Sequence, residues 1–442
     1  MISSGLSKSA AWNPAHRDSI LFWQASIRRD KQRLIANSER MRILKVVQSY
    51  FPFQDQGGPV VKVRALARGL AKRGQQVTVL TADLGLETGT DSGAGAKFER
   101  CAWGWQAQED GVRAVYLTSL VRYRALTVNP HVIGFCRASI SQFDLVHLYG
   151  LYDLLGPAVS YFCRRQRVPY VIEPMGMYRP IDRSFRLKGL WHTSLGEISW
   201  RDAARIVATS EMERQELLDD GVPKDKVVLR YNGIDVPGTR DRGSPGTFRA
   251  KWGIRSDELI VLFLGRLIPR KGADVLIDAF AQACAANGRL VIAGPEGEPG
   301  YRATLEKRAR EAGIGPKVIF TGALYDQDKE SVLADADVFV LPSRYENFAN
   351  SAAEAIAFGV PVIITEFCGI RSLVRGRAGL VIAPEKTALA KALSDLISDS
   401  ELYEKLKAGC SEVAAELGWD RLTAQMEGYY KEVLSGANGN VQ

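Results

Sequence analysis

The sequence predicts an α/β chain of two successive doubly wound, Rossmann-like domains facing each other across a cleft. Three observations carry this. Residues 41–47 form a short apolar run, helical apolar spacing follows, and a second short run comes at 76–81, which makes a strand–helix–strand unit. Residues 237–246 then concentrate Gly, Pro and charge, and read as a linker. Beyond them the strand pattern restarts at 259–264.

Taken in order, residues 1–40 are polar, mixed in charge and precede the first strand, so a poorly ordered N-terminal extension is expected there. The first domain covers 41–236. Its first strand leads into a loop, 49–59, with Gly57 and Gly58. Val60, Val63, Leu66, Ala67 and Leu70 then repeat at helical spacing, and Gly74 ends the helix. Further strands are expected at 76–81, 114–117, 145–148, 170–173, 205–208 and 226–231. After the linker, the second domain covers 247–415. It places strands at 259–264, 290–293, 318–320, 338–341 and 362–364, with helices around 273–286, 301–312, 329–334 and 351–358. Residues 416–442 are the C-terminal helical segment. Ligands of such open sheets bind beyond the carboxyl ends of the strands, so the substrate is expected in the cleft.

The composition, 46% hydrophobic and 24% charged over 442 residues, is that of a globular protein with sizeable cores. Charge is uneven: residues 1–235 hold 33 Lys and Arg against 23 Asp and Glu, and residues 236–442 hold 25 against 27. A basic first half fits an anionic partner, whether membrane surface, phosphorylated substrate or nucleic acid, or simply solubility. The six cysteines are too scattered for a metal knuckle or redox pair, and their spacing suits a reducing, cytoplasmic compartment. The four histidines show no metal-ligand spacing, so no metal is expected. No signal peptide is visible. The stretch 145–162 contains His147, Asp153 and Pro157 and reads as strand, loop and helix rather than a membrane span.

Two segments carry chemistry. Arg266, Arg270 and Lys271 leave the end of the first strand of the second domain just before a helix begins. Cations beside a helix start suit a phosphate, although the same run also fits a solvated basic turn. The second segment, Arg344-Tyr345-Glu346-Asn347-Phe348-Ala349-Asn350-Ser351-Ala352-Ala353-Glu354, follows the strand 338–341. Asn350 or Ser351 is placed to cap the next helix, leaving free amides around 349–352 for an anion. Glu354 lies about one turn into that helix, where it suits vicinal hydroxyls. Glu346, on the loop, reaches a different part of the same ligand. Two ordinary surface acids would show the same letters.

Basic residues after the first strand of the second domain, then a Glu, seven residues and a second Glu, resemble the retaining glycosyltransferases of family 4, with the GT-B fold. Gly57-Gly58 is similar to that family's donor-facing glycine loop. Asn232-Gly233-Ile234-Asp235 resembles its hinge signature, residues 355–362 the stretch after the second Glu, and residues 419–433 the final helix that returns to the first domain. The resemblance implies a nucleotide-diphosphate sugar as donor. Arg266 and Lys271 would neutralise its diphosphate, Glu354 hold its ribose, and Glu346 bind the transferred sugar. Amides of Phe348, Ala349, Asn350 and Ser351 would face sugar and phosphates. It also implies retention by front-face attack, with no metal, no protein nucleophile and no cofactor. Asp335-Ala336-Asp337, which mimics a metal-binding acidic pair, reads as a turn before a strand.

The chain departs from the family at two places. Tyr149 stands where many relatives have a histidine, with His147 two residues earlier, and Pro174-Met175-Gly176-Met177 replaces Pro-His-Gly-Met. His147, Tyr149 and Met175 are therefore expected on the acceptor side. A hexose moved to a saccharide or lipid-linked acceptor in cell-surface glycan synthesis fits this picture. Arg164, Arg165, Arg167, Arg179, Arg183, Arg186 and Lys188, interleaved with Phe162, Phe185, Leu190 and Trp191, suit peripheral contact with an anionic membrane. No nucleic-acid motif is present. An epimerase or phosphorylase on the same fold, or a non-catalytic nucleotide-sugar-binding protein, would share most of these features.

Overall fold

The computed structural model describes residues 40–53, 58–84, 86, 97–123, 126–178, 197–236, 245–283 and 287–439. The expectations for residues 1–39, Gly57, 179–196 and 237–244 lie outside them. The first part of the chain supplies β1 (Arg42–Val46), β2 (Gln76–Ala82), β3 (Glu99–Cys101), β4 (Gly104–Glu109) and β5 (Val112–Leu117). A separate hairpin follows, β6 (Val121–Tyr123) and β7 (Leu126–Val128). Then come β8 (Leu145–Tyr149), β9 (Tyr170–Glu173), β10 (Arg205–Ala208) and β11 (Val227–Leu229). Nine of these form one sheet in the order β11-β10-β9-β8-β1-β2-β5-β4-β3. It is parallel from β11 to β5, while β4 and β3 close the edge antiparallel.

The second sheet is parallel throughout. Its strands are β12 (Leu259–Leu264), β13 (Gly288–Ala293), β14 (Val318–Gly322), β15 (Val338–Leu341), β16 (Val362–Thr365) and β17 (Gly379–Ile382), in the order β14-β13-β12-β15-β16-β17. Residues 260–264 of β12 are all buried, as expected of a strand covered by helices on both faces. In each sheet the order reverses beside the first strand, at β1 and at β12, the kind of point at which open α/β sheets bind ligands.

Several features were not anticipated, the strand β17 among them. The antiparallel edge β3–β4 and the hairpin β6–β7 carry no apolar run. The helix Thr247–Trp252 follows the linker directly, and its first turn is anchored by the Asp335 carboxylate, which accepts the amides of Gly246 and Arg249. Asp337 accepts from the Arg249 guanidinium and the Ile260 amide, both at 2.8 Å. The acidic pair thus ties β12, β15 and this helix together.

The last helix, Trp419–Gly439, crosses back to the first sheet. Met426 and Tyr430 are buried with Met41, Ile43 and Leu70, and Glu427 pairs with Arg73 and Lys431. Gly69 permits the close approach: a Cβ there would lie 2.6 Å from the Thr423 hydroxyl. The hinge packs as tightly, with the Trp419 ring 2.3 Å from where a Gly233 Cβ would be. Among the described residues no helix is long and apolar enough to cross a membrane.

Candidate functional site

Residues 265–272 leave β12 and turn through a short 3-10 helix, Pro269–Lys271, ended by Gly272 at φ +75. A Cβ on Gly272 would meet the Pro342 carbonyl oxygen at 2.3 Å, so only glycine lets this turn lie against the end of β15. The contact delivers Lys271 to Glu346: Nζ and Oε1 are 2.7 Å apart, in a pair that is mostly buried. The Ser343 hydroxyl donates to the same oxygen at 3.3 Å. The Glu346 amide donates to the Phe367 carbonyl, and its own carbonyl accepts from Gly369, both at 2.9 Å, so the backbone under the carboxylate is fixed. Arg266, on the same loop, is exposed and forms no ion pair among the described residues.

The helix Asn350–Ala357 begins differently from expectation. Ala349 takes the left-handed conformation at φ +75 and serves as N-cap without a side-chain bond. Its carbonyl accepts the amides of Ala352 and Ala353. Asn350 therefore falls inside the helix and caps nothing. Its side-chain oxygen instead accepts from Asn232 of the hinge at 2.9 Å, and its nitrogen lies 3.1 Å from where a Gly58 Cβ would stand. Gly58 thus faces the start of this helix from the first domain. The amides of Asn350 and Ser351 find no acceptor among the described residues. Phe348 is buried, its ring 6.0 Å from that of Tyr231. Glu354 accepts from Lys329 at 3.1 Å, with both side chains about one-third exposed.

On the facing wall Met175 (φ +57) and Gly176 (φ +77) form a strained turn after β9. Met175 packs beside Gly150, and Gly176 lies against Asn347 of the second domain. His147 and Tyr149, expected to touch the acceptor, are closed in the core. Their rings stack at 4.0 Å, and His147 Nδ1 lies 2.6 Å from the Tyr430 hydroxyl. Both stand on a strand whose five residues are all buried, and Tyr430 of the final helix covers them. Burial, with Lys45, Arg230 and Lys62 nearby, keeps His147 neutral.

Beneath that wall lies a buried charge cluster that sequence reasoning missed. The Glu173 carboxylate, at the end of β9, pairs with Lys62 and, at 2.6 Å, with Arg230. His147 Nε2 is 3.7 Å from it, and all of these side chains are within a few percent of complete burial. Lys45 donates to Tyr149 at 2.6 Å and to Tyr430 at 3.3 Å. Burial, with Arg230 and Lys62 adding and Glu173 opposing, brings Lys45 down to about 7. Charged residues within apolar strand runs, Lys45, Glu173 and Arg230, were the local signals, and the partners lie far apart in sequence.

Two basic-loop and helix-start elements at strand ends, facing a first domain across a hinge, are the arrangement of a diphosphate-binding cleft. The family description "glycosyl transferase 4-like domain" matches residues 57–233, and "glycosyl transferases group 1" matches residues 246–411. The chain belongs to the group 1, family 4 glycosyltransferases. This glycosyltransferase is 24% identical over 418 residues to an uncharacterised glycosyltransferase of Methanocaldococcus jannaschii, covering 88% of this chain and 98% of that one. It is 31% identical over 245 residues to a D-inositol 3-phosphate glycosyltransferase of Streptomyces bingchenggensis. That match covers 53% of this chain and 54% of the relative, so it spans about half of each. Among solved structures, Anabaena HepE in complex with UDP and glucose superposes with a TM-score of 0.69 at 20% identity, covering 89% of this chain and all of that one. The shared fold is GT-B.

Proposed function

We propose that this glycosyltransferase moves a hexose, with retention and without a metal ion, from a UDP- or GDP-linked donor to a saccharide or lipid-linked saccharide in cell-surface glycan synthesis. The observation that carries the reading is the Lys271–Glu346 pair at the strand ends of the second domain. The leaving diphosphate gathers negative charge as its bond to C1 breaks. On this reading Lys271 and the free amides of Asn350 and Ser351 are held near the developing charge and need little rearrangement to stabilise it, while the exposed Arg266 adds a further cation. Glu346 takes sugar hydroxyls and Glu354 the ribose, with the second oxygen of Glu354 free of the Lys329 contact. The acceptor oxygen forms its bond to C1 on the face the diphosphate leaves, and a diphosphate oxygen takes the acceptor proton. No side chain forms a bond to the sugar.

HepE, solved with UDP and with UDP-glucose, supports a uridine donor, and the D-inositol 3-phosphate relatives support a polyol or sugar acceptor. A thermal-shift panel of nucleotide sugars tests the donor. A UDP- or GDP-sugar should raise the melting temperature by several degrees, and release of nucleotide should require an acceptor. A flat panel, or release without acceptor, counts against transfer. A cytoplasmic enzyme touching the inner membrane face rests on the basic first half. Arg164, Arg165 and Arg167 lie at the end of the helix Leu155–Arg165 beside the half-exposed Tyr161. Sedimentation with anionic liposomes at low salt is the expected result, and none at low salt removes the proposal.

A further inference from the structure

The two domains touch through a side chain in the middle of the donor segment. Asn347, between Glu346 and Phe348, donates from its amide nitrogen to the Thr209 hydroxyl at 2.6 Å, and its amide oxygen accepts from Ser210 at 3.4 Å. Both partners belong to the first domain, directly after β10. Thr209 in turn donates its hydroxyl and its amide to one oxygen of Glu213, each at 2.8 Å. The other Glu213 oxygen accepts the amide of Gly176 at 2.6 Å. A continuous hydrogen-bonded path therefore runs from the loop of Glu346, through Asn347, Thr209 and the buried Glu213, to the loop of Met175 and Gly176.

Packing holds Asn347 as closely as hydrogen bonding does. A Cβ on Gly176 would come 2.6 Å from the Asn347 Cβ. One on Gly369 would come 1.8 Å from the Asn347 carbonyl oxygen and 2.6 Å from the Ser210 Cβ. One glycine from each domain makes room for this residue. The Gly369 amide also holds the carbonyl of Glu346, so the seat of Asn347 and the placement of Glu346 share a backbone.

We infer that Asn347 is a positioning residue which joins the donor-side loop to the acceptor-side loop and sets the width of the cleft for transfer. The inference rests on the donor reading of residues 346–354. Donor contacts on that reading lie mainly in the second domain, whereas the acceptor sits against the first. The reacting atoms must lie about 3–3.5 Å apart, and a displacement of about 1 Å can cost a hundredfold. Drift between the domains therefore lowers the transfer step and leaves donor affinity nearly unchanged.

The test compares Asn347→Ala, Thr209→Val, their double variant and Thr209→Ser in the full chain. Expected results are melting temperatures near that of the wild type and nucleotide-sugar affinity within about threefold, with kcat down about tenfold or more in either single variant. The double variant should fall little further, because both changes break the bond between Asn347 and Thr209, and Thr209→Ser should retain activity through its hydroxyl. X-ray scattering of the free proteins should show a larger radius of gyration for Asn347→Ala. Activity within twofold of wild type in both single variants, or losses that multiply in the double variant, would overturn the inference. If the wild type binds no nucleotide sugar, the donor reading fails by itself. Scattering then decides on the contact: expansion of Asn347→Ala supports it, and an unchanged radius overturns it.

Discussion

Glu346→Gln should cut sugar transfer roughly a hundred- to thousandfold, the scale of losing one preorganised charge at a transition state, and barely move the melting temperature. The glutamine keeps the shape of the side chain and an oxygen for Lys271 and Ser343, so the loop stays in place. On the proposed reading, what it loses is negative charge beside a sugar ring that becomes cation-like as the diphosphate departs. Lys271→Ala should be as damaging for the opposite reason, because it removes the cation proposed to face the leaving group and also leaves Glu346 without its ion pair. Arg266→Ala should cost less, since Arg266 is exposed and its charge is screened by water. Initial rates with a matched nucleotide sugar and acceptor check the order. Transfer within fivefold of wild type in both Glu346→Gln and Lys271→Ala would sink the assignment.

The parallel strands were legible because burial on both faces leaves little choice of residue, and β12, Leu-Ile-Val-Leu-Phe-Leu, reads as a strand wherever it occurs. β3, with Glu99 and Arg100 exposed, lacks that constraint, and β17 is buried at only one of its four residues. That Lys271 and Glu346 serve one ligand was an expectation from resemblance, and their ion pair was not foreseen, since no spacing rule links residues so far apart. Ser210 and Glu213 do carry a helix-capping spacing, yet nothing local shows that the chain ahead of them would meet Asn347. The reading of Asn350 as a cap failed because Ala349 adopts a backbone conformation that its identity does not advertise. Tyr149 and His147 were placed by analogy at a ligand wall, and the final helix, which closes over both, decided otherwise.

The largest stability effect is expected at Glu173. Burial alone would push its carboxyl up, but Arg230 and Lys62 outweigh burial and hold it below the usual carboxylate value of 4.5. Glu173→Gln leaves both cations in the interior without an anion. Lys62, already lowered by burial, can shed its proton, whereas Arg230 cannot. Breaking such a pair from one side costs about 3–5 kcal/mol, or roughly ten degrees in the unfolding of a domain of this size. The sign with pH follows from the depressed carboxyl. In the wild type its contribution is complete above the unfolded value and is lost as pH falls through the lower folded one, so the variant should lose part of the acid sensitivity along with the stability. Glu173→Met with Arg230→Met should recover much of the loss, because the cations that remain in the cluster, Lys62 and Lys45, are both lowered by burial and can neutralise. A melting temperature of Glu173→Gln within two degrees of wild type would show that water reaches the cluster. Since Glu173 directly precedes Pro174 and the Met175–Gly176 turn, weakening the cluster should loosen the proposed acceptor wall, and transfer should fall even at temperatures where the variant stays folded.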